Sequence, residues 1–286
     1  ASDLSVELYG GNKYLDLKGW TFSGGERNVK ILDTNEIRRF HNFTVHVDFR
    51  NSDDMIDMLL LVNACRYVMK GAGLRLRIPY FPAARQDRVM TEGEPFALQV
   101  MVNLIKSCDF YEIEVWDPHS DVLAGMFDPG VLLVKPQHDL AFEYLSKYKD
   151  RSDVFLVSPD AGALKKIYKL AQKLNLPVLE ATKVRDVSTG KIVETRIQEN
   201  YDANHSVFVV IDDILDYGNT FLELAKVVKQ KYSVKSLELY ITHGIFSGGF
   251  DTFEKVYDVV YVQNLINKLN IKELPSFLNS SQNAKI

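Results

Sequence analysis

Apolar positions along the chain fall into short β-branched runs separated by stretches of helical period. Strand-like runs cover 29–32 and 44–49, helical period covers 55–70, and a strand, a helix and a strand come next at 74–78, 95–106 and 112–116. After Lys135-Pro136 the pattern restarts, with helix 140–148, strand 154–157, helix 163–174, strands 178–180 and 207–211, helix 221–231 and strand 236–242. This alternation predicts an α/β fold with largely parallel sheets, in which right-handed crossovers gather the loops after the strands on one edge. The Pro and Gly signals of FDPGVLLVKP place a domain boundary near 136. The charged, weakly periodic stretch 182–206 reads as a long mobile lid, and the polar stretch 279–286 reads as a frayed tail.

Composition narrows the function classes. A chain of 286 residues fits two ordinary α/β domains, and a net charge of −4 argues against a nucleic-acid partner. The two cysteines, Cys65 and Cys108, sit in apolar helical stretches without metal-ligand spacing, which predicts buried thiols in a reducing compartment. No apolar run spans a bilayer, and the first residues have neither a basic nor an apolar signal region. The expectation is a cytoplasmic protein with no membrane partner.

The most informative segment is VFVVIDDILDYGNT, Val207 to Thr220. A buried strand ends in Asp212 and Asp213, then turns through Asp216, Tyr217, Gly218 and Asn219 into a helix. The N–H groups opening a helix carry partial positive charge, Gly218 permits unusual backbone angles, and Thr220 offers a hydroxyl, so the loop suits a phosphate. Carboxylates just before such a cradle suit sugar hydroxyls or magnesium instead. Four further constellations lie at strand ends or in the long loop. IPYFPAARQDR delivers Arg85, Gln86, Asp87 and Arg88, whose guanidinium forks match phosphate oxygens, although such a loop is commonly just solvated. VWDPHSD places His119 between Asp117 and Asp121, which could orient the ring or share a metal. In VFLVSPDAGALKK, Asp160 could cap a helix or bind magnesium. Lys183 and Arg185 could close over a polyphosphate, or be solvated surface cations.

IPYFPAARQDR, DPHSD, SPDAGALKK, VVIDDILDYGNT and THGIFSG occur in the order, and at nearly the spacing, of the ribose-phosphate pyrophosphokinase (PRPP synthetase) family, which the chain resembles from about Phe22 to Asn264. The resemblance implies two tandem type I phosphoribosyltransferase-like domains, an ATP-site domain at 1–135 and a ribose-5-phosphate-binding domain at 136–270, with a tail at 271–286. It implies Mg²⁺-dependent transfer of the diphosphoryl group of ATP to the 1-hydroxyl of ribose 5-phosphate, in a homo-oligomer whose neighbouring subunit completes the site. Phe22 would stack on adenine, Glu26 would recognise the base, and Arg85, Gln86 and Asp87 would serve ATP. His119 and Asp160 would bind magnesium, and Lys183 and Arg185 would stabilise the transition state. Asp212 and Asp213 would hold the ribose hydroxyls, with Asp216, Tyr217, Gly218, Asn219 and Thr220 around the 5-phosphate. The chain differs from the family in having Tyr217 where Thr is usual, Gly24 in place of a polar residue, a shortened N-terminus and a divergent C-terminal end. Two alternatives are a catalytically silent regulatory relative and a phosphoribosyltransferase. The ATP-type loop and the duplicated domain argue against the second, and the presence of His119, Asp160, Lys183 and Arg185 argues against the first.

Overall fold

The computed structural model describes residues 4–8, 13–198, 201–266 and 278–280. The chain divides into two compact units, residues 1–135 and 136–286. Each is α/β with a mainly parallel sheet.

The first unit comprises β1 (Leu4–Leu8), β2 (Lys13–Tyr14), β3 (Leu17–Thr21), β4 (Arg27–Ile31), α1 (Thr34–Ile37), β5 (Asn42–Val47), α2 (Ser52–Val68), β6 (Gly73–Arg77), α3 (Ala97–Lys106), β7 (Glu112–Trp116) and β8 (Leu132–Lys135). Its sheet runs β2-β1-β5-β6-β7-β8, parallel from β5 to β8 and antiparallel at β1 and β2. Met58, Leu61 and Cys65 of α2 and Val102 and Ile105 of α3 bury against Val45, Leu76 and Val115. Asn51 starts α2 through a capping box with Asp54, satisfying N–H groups that the first turn would leave unpaired. β3 and β4 form a separate hairpin, fastened to α2 by Arg27, which donates to both oxygens of the buried Asp57 at 2.9 and 2.5 Å. Such a two-pronged guanidinium–carboxylate bond fixes orientation as well as position. It therefore sets where the tip of the hairpin points.

The second unit comprises α4 (Gln137–Leu145), β9 (Val154–Ser158), α5 (Ala161–Leu174), β10 (Val178–Arg185), β11 (Ile192–Ile197), β12 (Ser206–Leu215), α6 (Asn219–Lys231), β13 (Val234–Gly244), α7 (Asp251–Glu254), β14 (Val259–Leu265) and β15 (Leu278–Ser280). The sheet order is β11-β10-β9-β12-β13-β14-β15, parallel throughout except for β11. Side chains of α4 and α5 pack on one face and those of α6 on the other. Both faces being covered, β12 reads as a continuous apolar run, and Val209, Val210 and Ile211 are fully buried. Each such side chain contributes about 1.5–3 kcal/mol relative to exposure.

The apolar pattern does not single out β1, β2, β3, β8 or β14, and two further segments differ in kind from the sequence reading. Much of 182–206 is a hairpin rather than an irregular loop: β10 continues to Arg185 and pairs antiparallel with β11. Most of β11 is exposed on both faces, so it carries no alternation that would mark it as a strand. Residues Leu278–Ser280, assigned in part to a frayed tail, pair parallel with β14. The remainder of the expected tail lies outside the described residues.

Candidate functional site

In the second unit the strand register brings the chemistry to one edge. Val157 of β9 pairs with Val210 of β12, and Ser158 with Glu180 of β10, so Asp160, Lys183 and the pair Asp212-Asp213 all lie beyond buried strand segments at the same end of the sheet. Asp160 caps α5, accepting from the Ala163 amide at 3.0 Å through Oδ1, while its Oδ2 lies 3.5 Å from Lys183 Nζ. Asp213 is buried and paired with Lys166 Nζ at 3.4 Å. Asp212 accepts from the Asp213 amide at 2.8 Å. Burial, then the Asp213 charge, then Asp160 among smaller effects, push the Asp212 carboxyl well above the usual carboxylate range. The edge therefore holds three crowded carboxylates with two lysines drawn toward them.

The loop after β12 turns through a left-handed glycine into the start of α6. Gly218 has φ 82° and precedes α6, which has no side-chain cap of its own at this end. A Cβ on Gly218 would come within 2.2 Å of the Phe253 ring, so only glycine fits. Asp216 is partly exposed and Tyr217 is 66% exposed, with Asn219 and Thr220 opening the helix. Behind this loop runs the segment after β13, where the Ser247 amide donates to the Asp216 carbonyl at 3.0 Å and the Ser247 hydroxyl donates to Asp216 Oδ1. Arg185 stands at the end of β10 and donates to the Gly190 carbonyl at 3.1 Å across the hairpin turn. That turn is closed by Asp186, whose carboxyl is held down at about 2 by the Ser188 hydroxyl and the Thr189 and Ser188 amides among others.

In the first unit two groups form. Phe22 and Glu26 bracket the β3–β4 turn, the Phe22 amide donating to the Glu26 carbonyl at 2.8 Å. Both side chains are exposed, and Trp20 meets the Phe22 ring edge-on at 5.7 Å. The loops after β6 and β7 are tied together by Ser120 Oγ, which donates to Asp87 Oδ2 at 2.6 Å. Arg85 and Gln86 are exposed beside this link, and so is His119. Asp117 is buried in the backbone framework, its amide bonded to the Lys135 carbonyl at 2.8 Å.

Sequence reasoning missed Lys166, Ser120 and Ser247. Lys166 lies six residues beyond Asp160, a spacing that carries no signal until the helix and sheet are packed. The two serines act through loops remote from their partners in sequence.

Oxygen donors crowded on the second unit suit a hard divalent cation, which would relieve the repulsion that raises the Asp212 carboxyl. Among the described residues no three His, Cys, Asp or Glu side chains form a ready-made metal cage.

Residues 5–108 match the family described as the N-terminal domain of ribose phosphate pyrophosphokinase, and residues 134–275 match the phosphoribosyl transferase domain. The chain is 28% identical over 289 residues to a ribose-phosphate pyrophosphokinase of Mycoplasmopsis pulmonis, covering 97% of this chain and 86% of that protein. It is 28% identical over 243 residues to the ribose-phosphate pyrophosphokinase of Clostridium perfringens, covering 82% and 72%. Its fold is similar to that of phosphoribosylpyrophosphate synthetase from Mycobacterium smegmatis, with a TM-score of 0.77 at 21% identity over 93% of this chain and 85% of that one.

Proposed function

Since the chain belongs to the ribose-phosphate pyrophosphokinase family, we propose that it transfers the diphosphoryl group of ATP to the 1-hydroxyl of ribose 5-phosphate, giving PRPP and AMP. The observation that carries this reading is the acceptor half of the site, where paired carboxylates at the end of β12 lead directly into a glycine cradle at the start of α6.

In the proposed reaction the ribose 1-oxygen forms a bond to the β-phosphorus of ATP, and the bond from that phosphorus to the α,β-bridging oxygen breaks. AMP leaves with that oxygen, and the proton of the hydroxyl passes to solvent. Such a transfer needs positioning and charge neutralisation rather than a protein nucleophile. Asp212 and Asp213 would accept hydrogen bonds from the ribose hydroxyls, and the backbone N–H groups of the loop from Asp216 to Thr220 would hold the 5-phosphate. Lys183 and Arg185 would stabilise negative charge on the diphosphoryl group as it moves. Phe22 and Glu26 would receive adenine, and Arg85 and Gln86 the ATP phosphates. Asp87 would serve ATP from the same loop, which its bond from Ser120 also ties to the loop after β7. His119 in the first unit and Asp160 in the second would each be a magnesium ligand, and the metal when bound neutralises phosphate oxygens. A homo-oligomer would be the working form if the base site is shared between subunits, as the resemblance implies.

No helix among the described residues is long and apolar enough to cross a membrane. A cytoplasmic setting is supported by free, buried Cys65 and Cys108, whose thiols burial pushes up to about 12 and about 11. The direct test is to incubate the protein with ATP, ribose 5-phosphate and Mg²⁺ and to follow AMP. Release no greater than that of a Lys183→Ala control would reject the reading.

A further inference from the structure

The acceptor loop is built against a second segment of chain that the proposed chemistry does not use. From the end of β13, the amides of Ile245 and Phe246 donate to the Leu215 carbonyl at 2.8 and 3.3 Å, and the Ser247 amide donates to the Asp216 carbonyl at 3.0 Å. Phe253 lies against Gly218, and a Cβ placed on Gly248 would be 3.7 Å from the Tyr217 carbonyl oxygen. Residues 244–253 therefore line the whole loop from Leu215 to Gly218. One bond in this contact is between side chains, from the Ser247 hydroxyl to Asp216 Oδ1.

Asp216 poses an electrostatic problem at this place. It opens a loop whose N–H groups would gather around a dianionic phosphate, and a carboxylate free to turn toward that anion would weaken its binding. The Ser247 hydroxyl engages one of its oxygens from the β13 side.

We propose that Ser247 is a positioning residue for the sugar-phosphate acceptor: by holding the Asp216 carboxylate, it keeps the loop open to the 5-phosphate. The proposal rests on the ribose 5-phosphate reading and is specific to that substrate, because Ser247 touches the acceptor loop.

Ser247→Ala, Ser247→Thr, Asp216→Ala and the double variant Ser247→Ala/Asp216→Ala are compared in two assays: steady-state AMP release, and calorimetric binding of ribose 5-phosphate without ATP. Losing one hydrogen bond to a charged group predicts about a tenfold rise in KM and Kd for ribose 5-phosphate in Ser247→Ala. KM for ATP, and kcat at saturating ribose 5-phosphate, stay within about twofold, since an effect on binding alone leaves kcat unchanged. Ser247→Thr keeps the hydroxyl and stays near wild type. In the Asp216→Ala background, Ser247→Ala adds nothing, as a double-mutant cycle requires if one acts through the other. An unchanged Kd in Ser247→Ala, an equal rise in KM for both substrates, or full additivity with Asp216→Ala overturns the proposal. Should Ser247→Ala fail to give a native circular dichroism spectrum, Ser247→Cys, similar in size but a weak donor, takes its place. If wild type binds ribose 5-phosphate but releases no AMP, the activity is wrong and the binding ratio still decides the role of Ser247. If wild type does not bind ribose 5-phosphate, both fall.

Discussion

Lys183 Nζ lies 3.5 Å from Asp160 Oδ2, so the cation proposed for the transition state rests on the carboxylate proposed for the metal. The two partners come from neighbouring strands, Lys183 within β10 and Asp160 just beyond β9. Removing Lys183 should have two separable results. In Lys183→Ala, kcat for AMP release falls by about a hundredfold or more, the size of a lost transition-state contact, with KM for ribose 5-phosphate little changed. Binding of Mn²⁺ to the protein alone, read by calorimetry, becomes tighter because a competing cation is gone. Weaker Mn²⁺ binding in the variant would contradict this arrangement.

Lys166 is the second cation at this edge, 3.4 Å from the buried Asp213. The pair is partly solvated, so Lys166→Met should cost about 1 kcal/mol, read as a roughly fivefold rise in KM for ribose 5-phosphate. KM for ATP serves as the internal control and should stay constant.

Gly218 combines a left-handed backbone with close approach to Phe253. Gly218→Ala should destabilise the protein by about 2 kcal/mol or more, from backbone strain and overpacking together, and should abolish detectable ribose 5-phosphate binding. Urea unfolding and calorimetry measure the two effects, and a variant as stable as wild type would refute the geometry.

The proposed adenine contact in the first unit gives an independent test. Phe22→Ala should raise KM for ATP by about tenfold or more, the value of one base–aromatic stacking contact, without changing ribose 5-phosphate binding.

Asp212 makes the metal-free protein sensitive to pH. Because burial and then Asp213 raise its carboxyl, the native state keeps this proton to higher pH than the unfolded chain does. The associated stability is complete below about pH 4, the ordinary range for Asp, and is lost as pH rises through the raised native value. The urea midpoint without metal should therefore fall with pH over that window in wild type and stay flatter in Asp212→Asn. Added Mg²⁺ should restore part of the loss.

The parallel sheet and the polar residues at its strand ends were legible because a strand buried on both faces leaves an unmistakable run, as 207–211 does, and because the chain leaving such a strand must form a loop at the sheet edge. The hairpin from Val178 to Ile197 was not. Its outer strand is solvated on both faces, so neither period nor hydrophobicity distinguishes it from a loop, and only pairing with β10 defines it. β15 was hidden for a related reason: three residues are too few to display any period. At the site, residue types at strand ends could be read directly, whereas Lys166, Ser120 and Ser247 act across packing contacts that no local pattern encodes. Asp87 illustrates the limit. Its loop was recognisable, but its bond to Ser120 requires two strand-end loops to be neighbours.

The burial of Cys65 and Cys108 has a practical consequence for watching the hairpin work. With both thiols inside the core and pushed up toward 11 and 12, the chain is nearly inert to maleimides at neutral pH. Val187, at the fully exposed tip beyond Arg185, could be replaced by cysteine to give the molecule a single fast-reacting handle. A fluorophore attached there would report hairpin movement without any need first to strip the native sulfurs from the fold.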